Sequence, residues 1–149
     1  MQASMCAIAW LLATLADASS TAQLRVTVSA PSASTGAPTL ELAAPLNAIA
    51  SGRLVVLNAG VDGHVRHWEA IVSATACAAP QPVRWLDVAP TFGALAGGES
   101  VGVAVYASSF AATTVLRQGF VCIRAEGANA PPLEVPVALT VAGAKTAVP

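Results

Sequence analysis

The feature that most constrains this chain is alternation. In SVGVAVYA (100–107), Val101, Val103 and Val105 are interleaved with Gly102, Ala104 and Tyr106. In LEVPVALTV (133–141), Val135, Val137, Leu139 and Val141 alternate with Glu134, Pro136, Ala138 and Thr140. A period of two puts each set on one face of a β-strand. Residues 39–142 contain no convincing 3.6-residue apolar period. One helical turn within SSFAATTVL (108–116) is the most helix this region is expected to hold.

Seven strand candidates follow one another between turn signals. They are 39–43, 53–58, 65–73, 84–89, 100–107, 118–125 and 133–141. RLVVLN (53–58) is apolar nearly throughout and is expected to be central. Asp62-Gly63 is a strong hairpin signal. QGFVCIRA (118–125) is apolar on both faces, so its register stays open. Pro136 cannot donate to a ladder, so the last strand is expected at a sheet edge or with that missing N–H facing outward. Short strands, turns every 8–12 residues and no helices predict an all-β fold: a seven- to eight-stranded antiparallel immunoglobulin-like β-sandwich. A small closed barrel is the competitor.

Ahead of this domain lie two other segments. The apolar run 7–15 is too short to span a bilayer, which takes about 20 residues. It suits the core of a secretory signal, and Ala16-Asp17-Ala18 suits a cleavage site, although MQASM lacks the usual Lys or Arg. The expected division is a signal peptide over 1–18, a short strand and Pro/Ser/Gly-rich linker over 19–38, the sandwich over 39–142, and a tail over 143–149. The short strand is QLRVTVS (23–29) and the linker APSASTGAP (30–38). Removing the leader removes Cys6 and leaves Cys77 and Cys122. A disulfide between them is one reading; two buried thiols is the other.

In order along the chain stand Asn58-x-Gly60, a strand holding Trp68, and Trp85-Leu86-x-Val88-x-Pro90. Gly93-x-Leu95-x-Gly97-Gly98-Glu99-Ser100, Gly119-Phe120 and Val135-Pro-Val-x-Leu-Thr-Val141 follow. This series resembles the immunoglobulin-like repeat modules of large bacterial and algal surface proteins. It is similar to BACON and Hydin-type domains and, more distantly, to the major-sperm-protein and PapD-like sandwiches. The resemblance covers about 39–142. It implies a spacer, an adhesin or a binding domain, which the fold alone does not separate. QLRVTVS looks like the last strand of such a module, so two arrangements stay open: a tandem array, or a single module with an extra edge strand. Trp68, Trp85, Gly93, Leu95 and Gly97 are expected to be structural. Trp85 plugs one end, Leu95 anchors the core, and the glycines allow the backbone to cross.

Chemistry is sparse. Charged residues make up 10% of the chain against about 25% in an average domain. The seven Lys and Arg are scattered and net charge is −1, which argues against nucleic acid. His64, His67 and Cys77 are the only soft ligands near one another in sequence, but positions 64 and 67 fall on opposite faces of a strand, so no metal is expected. Asp62, Glu69, Asp87, Glu99 and Glu126 are isolated, and no nucleophile motif or phosphate loop occurs. No catalysis and no cofactor are expected. Trp68 and Tyr106 are the candidates for a sugar platform, with Tyr106 the possible ligand contact. The leading expectation is a non-catalytic, secreted or surface module that binds a protein or glycan partner, possible partners including a second module through edge strands. It does not span a membrane. The alternatives are a carbohydrate-binding module and, without a signal, an intracellular PapD-like interaction domain.

Overall fold

A computed structural model describes residues 24–28, 39–127 and 130–143. Within them lie nine strands: β1 (Leu24–Val28), β2 (Leu40–Pro45), β3 (Ile49–Asn58), β4 (Arg66–Ser73), β5 (Leu86–Ala89), β6 (Phe92–Leu95), β7 (Ser100–Ser108), β8 (Leu116–Ala125) and β9 (Leu133–Ala142). They form two sheets, ordered β1-β3-β7-β5 and β2-β9-β8-β4-β6. The expected leader, the linker 30–38 and nearly all of the tail lie outside the described residues.

The alternation sets the core. Val103 and Val105 of β7, Leu54 and Val56 of β3, and Val135, Val137, Leu139 and Val141 of β9 are all buried in one cluster between the sheets. β8 explains its own two-sided composition. Val121 and Ile123 enter that cluster, while Cys122 faces the other way. The loop between β4 and β5 lies over that outer face, and Cys77 within it is bridged to Cys122 with Cα atoms 5.6 Å apart. The Cys77 N–H donates to a Glu134 carboxylate oxygen at 2.6 Å. The Ser73 hydroxyl accepts from the N–H groups of Thr75 and Gln81, so the loop is fastened at both ends.

Several expectations need correction. Asp62-Gly63 does not make a hairpin: β3 and β4 belong to different sheets, and the turn carries the chain across. The stretch after Pro90 holds an additional strand, β6, where a simple crossover was expected. Between 108 and 116 there is a turn and no helical turn. β9 is interior to its sheet, but β2 pairs with it only from Val137 onward, so Pro136 has no ladder on that flank. The β2–β9 pair is parallel; every other pairing is antiparallel. The strand at 24–28 pairs with β3 from Leu24↔Asn58 to Val28↔Leu54 at the edge of the first sheet, as in the expected arrangement with an extra edge strand.

A buried polar side chain fastens each pole. At one, Asn58 is fully buried at the end of β3. Its amide donates to the carbonyls of Leu95 and His64, and its Oδ1 accepts from Gly60 N–H. Its backbone bonds Glu99 and Gly98. One side chain thus ties the β3–β4 and β6–β7 connections together. Gly97 lets them touch, because a Cβ there would stand 2.6 Å from Gly60 O. At the other pole the buried Ser109 hydroxyl accepts from Ala48 N–H and lies 2.6 Å from Pro45 O. This joins the β2–β3 and β7–β8 turns.

Two outcomes follow. Asn58→Ala is expected to lower unfolding stability by roughly 2–3 kcal/mol, because it strands a buried N–H and two carbonyls; urea melts with circular dichroism measure it. Replacing both cysteines by alanine opens a loop of sequence separation 45, with an expected loss of up to about 4 kcal/mol. The same melt with and without reductant checks it, since the double variant is expected to be blind to reductant.

Candidate interaction site at the free edge of β6

Residues 86–95 serve both sheets in turn. β5 pairs with β7 between Ala104 and Ala107. The chain then leaves through the cis Ala89–Pro90 bond and becomes β6, paired with β4. This switch leaves two flanks open. No described strand pairs with the far side of β6, and Ser100–Val103 of β7 has β3 on one side only. Between them lies a cleft of about 380 Å³ lined by Trp68, Pro90, Phe92, Leu95, Glu99 and Val101, among others.

The cleft floor is Trp68, which is 3% exposed. It faces Gly93 across the β4–β6 ladder, where a Cβ would stand 2.9 Å from the indole Nε1. Gly93 is therefore a gap for the indole; the expected role in a crossover turn falls instead to Gly97 and Gly98. The Trp68 Nε1–H is buried with no hydrogen-bond partner among the described residues. Phe92, next to Gly93, is 75% exposed. Its cross-strand neighbour is Glu69, and beyond Glu69 lies Arg124. With Glu126, these residues and Trp68 line a second depression beside the first. Around β6 stand the carboxylates of Glu69, Glu99 and Glu126 and the guanidinium groups of Arg124 and Arg66, the latter already paired with Asp62.

The other singled-out residues are dispersed. Tyr106 is partly exposed on the outer face of the four-stranded sheet, between Ser51 and Asp87. Trp68 points into the core of the other sheet, so the two rings form no shared platform. Trp85 is half-buried against the core and near Gly119, at the Ser109 pole. Leu95 is buried in the core. Cys77, in the loop after β4, is held in the disulfide, and among the described residues no three His, Cys, Asp or Glu side chains cluster as metal ligands. The sequence signal that would have marked β6 is the short alternation Phe92-Gly-Ala-Leu95, which the surrounding glycines obscure.

In the turn before β4, Asp62 accepts from the His64 N–H at 3.1 Å and pairs with Arg66 at 2.6 Å. The backbone hydrogen bond first, and the Arg66 and His64 charges after it, hold its carboxyl below the usual value. The folded value is the lower one, so its contribution to turn order is present above the unfolded value and disappears as pH falls through the folded one. Side-chain carboxyl NMR is expected to find Asp62 titrating at lower pH than in an unstructured peptide. Arg66→Gln should move it only part of the way back, because the largest cause is the backbone bond.

No protein-family model matches the chain, and no curated protein matches it. Solved structures do. The periplasmic chaperone SfaE aligns over 84% of this chain and 61% of its own, with 9% identity and a TM-score of 0.51. The *E. coli* chaperone DraB aligns over 83% of this chain and 57% of its own, with 13% identity and a TM-score of 0.54. PapD-like domain 7 of human CEP192 aligns over 84% of this chain and 89% of its own, with 9% identity and a TM-score of 0.55. This chain thus spans less than two thirds of either chaperone and most of the single CEP192 domain. At these identities the likeness is one of fold, an immunoglobulin-like β-sandwich.

Proposed function

We propose that this chain is a non-catalytic protein-interaction module that receives an extended, apolar and basic segment of a partner on the free edge of β6. The observation that carries the reading is that edge. An unpaired strand flank offers a ladder to a further strand. Protective edges carry lysine or inward charge; this one presents Phe92. The acidic surplus around it favours a segment bearing Lys or Arg. The PapD-like fold supports a binding role over a catalytic one, and SfaE and DraB are chaperones by description.

The compartment is part of the proposal. A Cys77–Cys122 bridge suits an oxidising environment, and residues 1–18 suit a signal peptide. This favours an exported or surface-borne module, akin to the BACON and Hydin-type repeat units, over an intracellular PapD-like domain. With Trp68 buried and Tyr106 on the other sheet, no observation favours the carbohydrate-binding reading.

Two measurements test this. A photo-crosslinking residue at Phe92, in the full chain expressed in its own cells, is expected to capture a discrete protein species that the same residue at Tyr106 does not. Capture at Tyr106 alone would move the site off β6. Intact mass of the exported product is expected to lack residues 1–18 and to show no alkylatable thiol before reduction. A full-length mass with free Cys77 and Cys122 would assign the module to the cell interior.

A further inference from the structure

The Ser109 pole, away from the β6 cleft, gathers large apolar side chains that the core does not use. Ile49 is 63% exposed, Phe110 54% and Leu116 49%, with Leu46 and Val115 also open to solvent. They come from different parts of the chain but one end of the sandwich. Ile49 is paired with Ser108, Leu116 with Thr140, and the Val115 carbonyl accepts from Val141 N–H.

These tips are held out rigidly. The Ser109 hydroxyl fastens the turn at 45–48 to the turn at 109–115. Arg117 donates to the carbonyls of Ser108 and Phe110. Each turn is closed by a residue in the left-handed region, Asn47 at φ 59° and Ala111 at φ 50°. The charge at this pole has one sign. Residues 45–48, 74–85 and 109–117 contain Arg84 and Arg117 and no Asp or Glu. Both arginines line a depression with Trp85 and Phe110. The adjoining carboxylate of Asp87 lies on the sheet face beside Tyr106, and that of Glu134 is engaged by the Cys77 N–H.

Projecting apolar tips with cations and no anion are what the headgroup boundary of an anionic bilayer accepts. Apolar groups enter the acyl edge, guanidinium groups stay at the phosphates, and an aromatic sits between. We infer that the Ser109 pole docks on an anionic lipid surface, with Phe110, Leu116 and Ile49 inserted and Arg84 and Arg117 at the headgroups. The depression's arginines and its aromatic rings are separate contributions to one attachment. The docking leaves the β6 cleft at the flank of the sandwich free, so a surface-bound module still presents that edge.

The test uses the disulfide-bonded chain and sedimentation with vesicles of phosphatidylcholine, with or without phosphatidylserine. Binding is expected to the phosphatidylserine vesicles, weakened by salt, with Trp85 emission quenched by brominated acyl chains and that quenching lost in Trp85→Phe. Phe110→Ser/Leu116→Ser is expected to lower partitioning at least about tenfold. Arg84→Gln should lower it about fivefold, the worth of one basic residue at such a surface. Phe110, Leu116, Arg84 and Phe92 are exposed, Trp85→Phe keeps a ring at a half-buried position, and circular dichroism confirms the fold of each variant. Phe92→Ser is expected to bind vesicles as the parent does, which separates this inference from the β6 reading. No sedimentation of the parent, equal sedimentation with pure phosphatidylcholine, or unchanged binding by Phe110→Ser/Leu116→Ser overturns the inference. Concentration-dependent dimerisation abolished by that double variant, without vesicle binding, assigns the pole to a second copy of the chain instead.

Discussion

Each strand of this sandwich commits one face to a single shared core, and residues 86–95 must meet that demand for both sheets in succession. Leu86 and Val88 bury themselves from the four-stranded side. Seven residues after Val88, Leu95 buries itself from the five-stranded side. The chain can make this transfer only by giving up pairing along the way. Both open flanks of the molecule's cleft are the result: β5 stops at Ala89↔Ala104, leaving the start of β7 bare, and β6 joins β4 with nothing beyond it. The site and the fold thus have one origin, and no special loop is needed to build the cleft.

The two ends of the sandwich are closed by different means. At one end, Asn58 satisfies carbonyls and an N–H that would otherwise be buried without partners, so this polar group specifies how the two connections dock. At the other, Ser109 does the same for two turns, but their apolar side chains face water instead of the core. The Asn58 end also leaves Val61 and Val65 of its connection exposed, but the Ser109 end gathers the larger side chains, Ile49, Phe110 and Leu116, around Arg84 and Arg117.

Much of this was legible in the sequence because alternation is a direct physical signal. The inward residues of β7 and β9 were named correctly from period alone, and all seven strand candidates exist. Sheet membership was not legible. Asp62-Gly63 is a hairpin dipeptide by local chemistry, yet Asn58 and Gly97 hold the turn between sheets, and the partners that do so, Leu95 and Gly97, lie more than thirty residues further along the chain. β6 escaped because Gly93 removes one side chain from an already short alternation, and the reason for that glycine is an indole one strand away. Pro136 left two places open, a sheet edge or a flank without a ladder, and the stagger of β2, which starts opposite the next residue, realises the second. The apolar pole was invisible for a similar reason. Leu46, Ile49, Phe110 and Leu116 look like ordinary core residues until the topology places them together.

The parallel pairing of β2 with β9 has a consequence for how the chain is made. Among the described residues, the first strand of the five-stranded sheet in chain order finds its only strand partner in the last. During vectorial synthesis or export, β2 emerges early and must wait, unpaired, until almost the whole chain has followed. Contacts of such long sequence separation also slow folding. The nascent module consequently exposes a Leu-rich strand to its surroundings for most of its birth, so a chain interrupted before β9 keeps β2 as a sticky end.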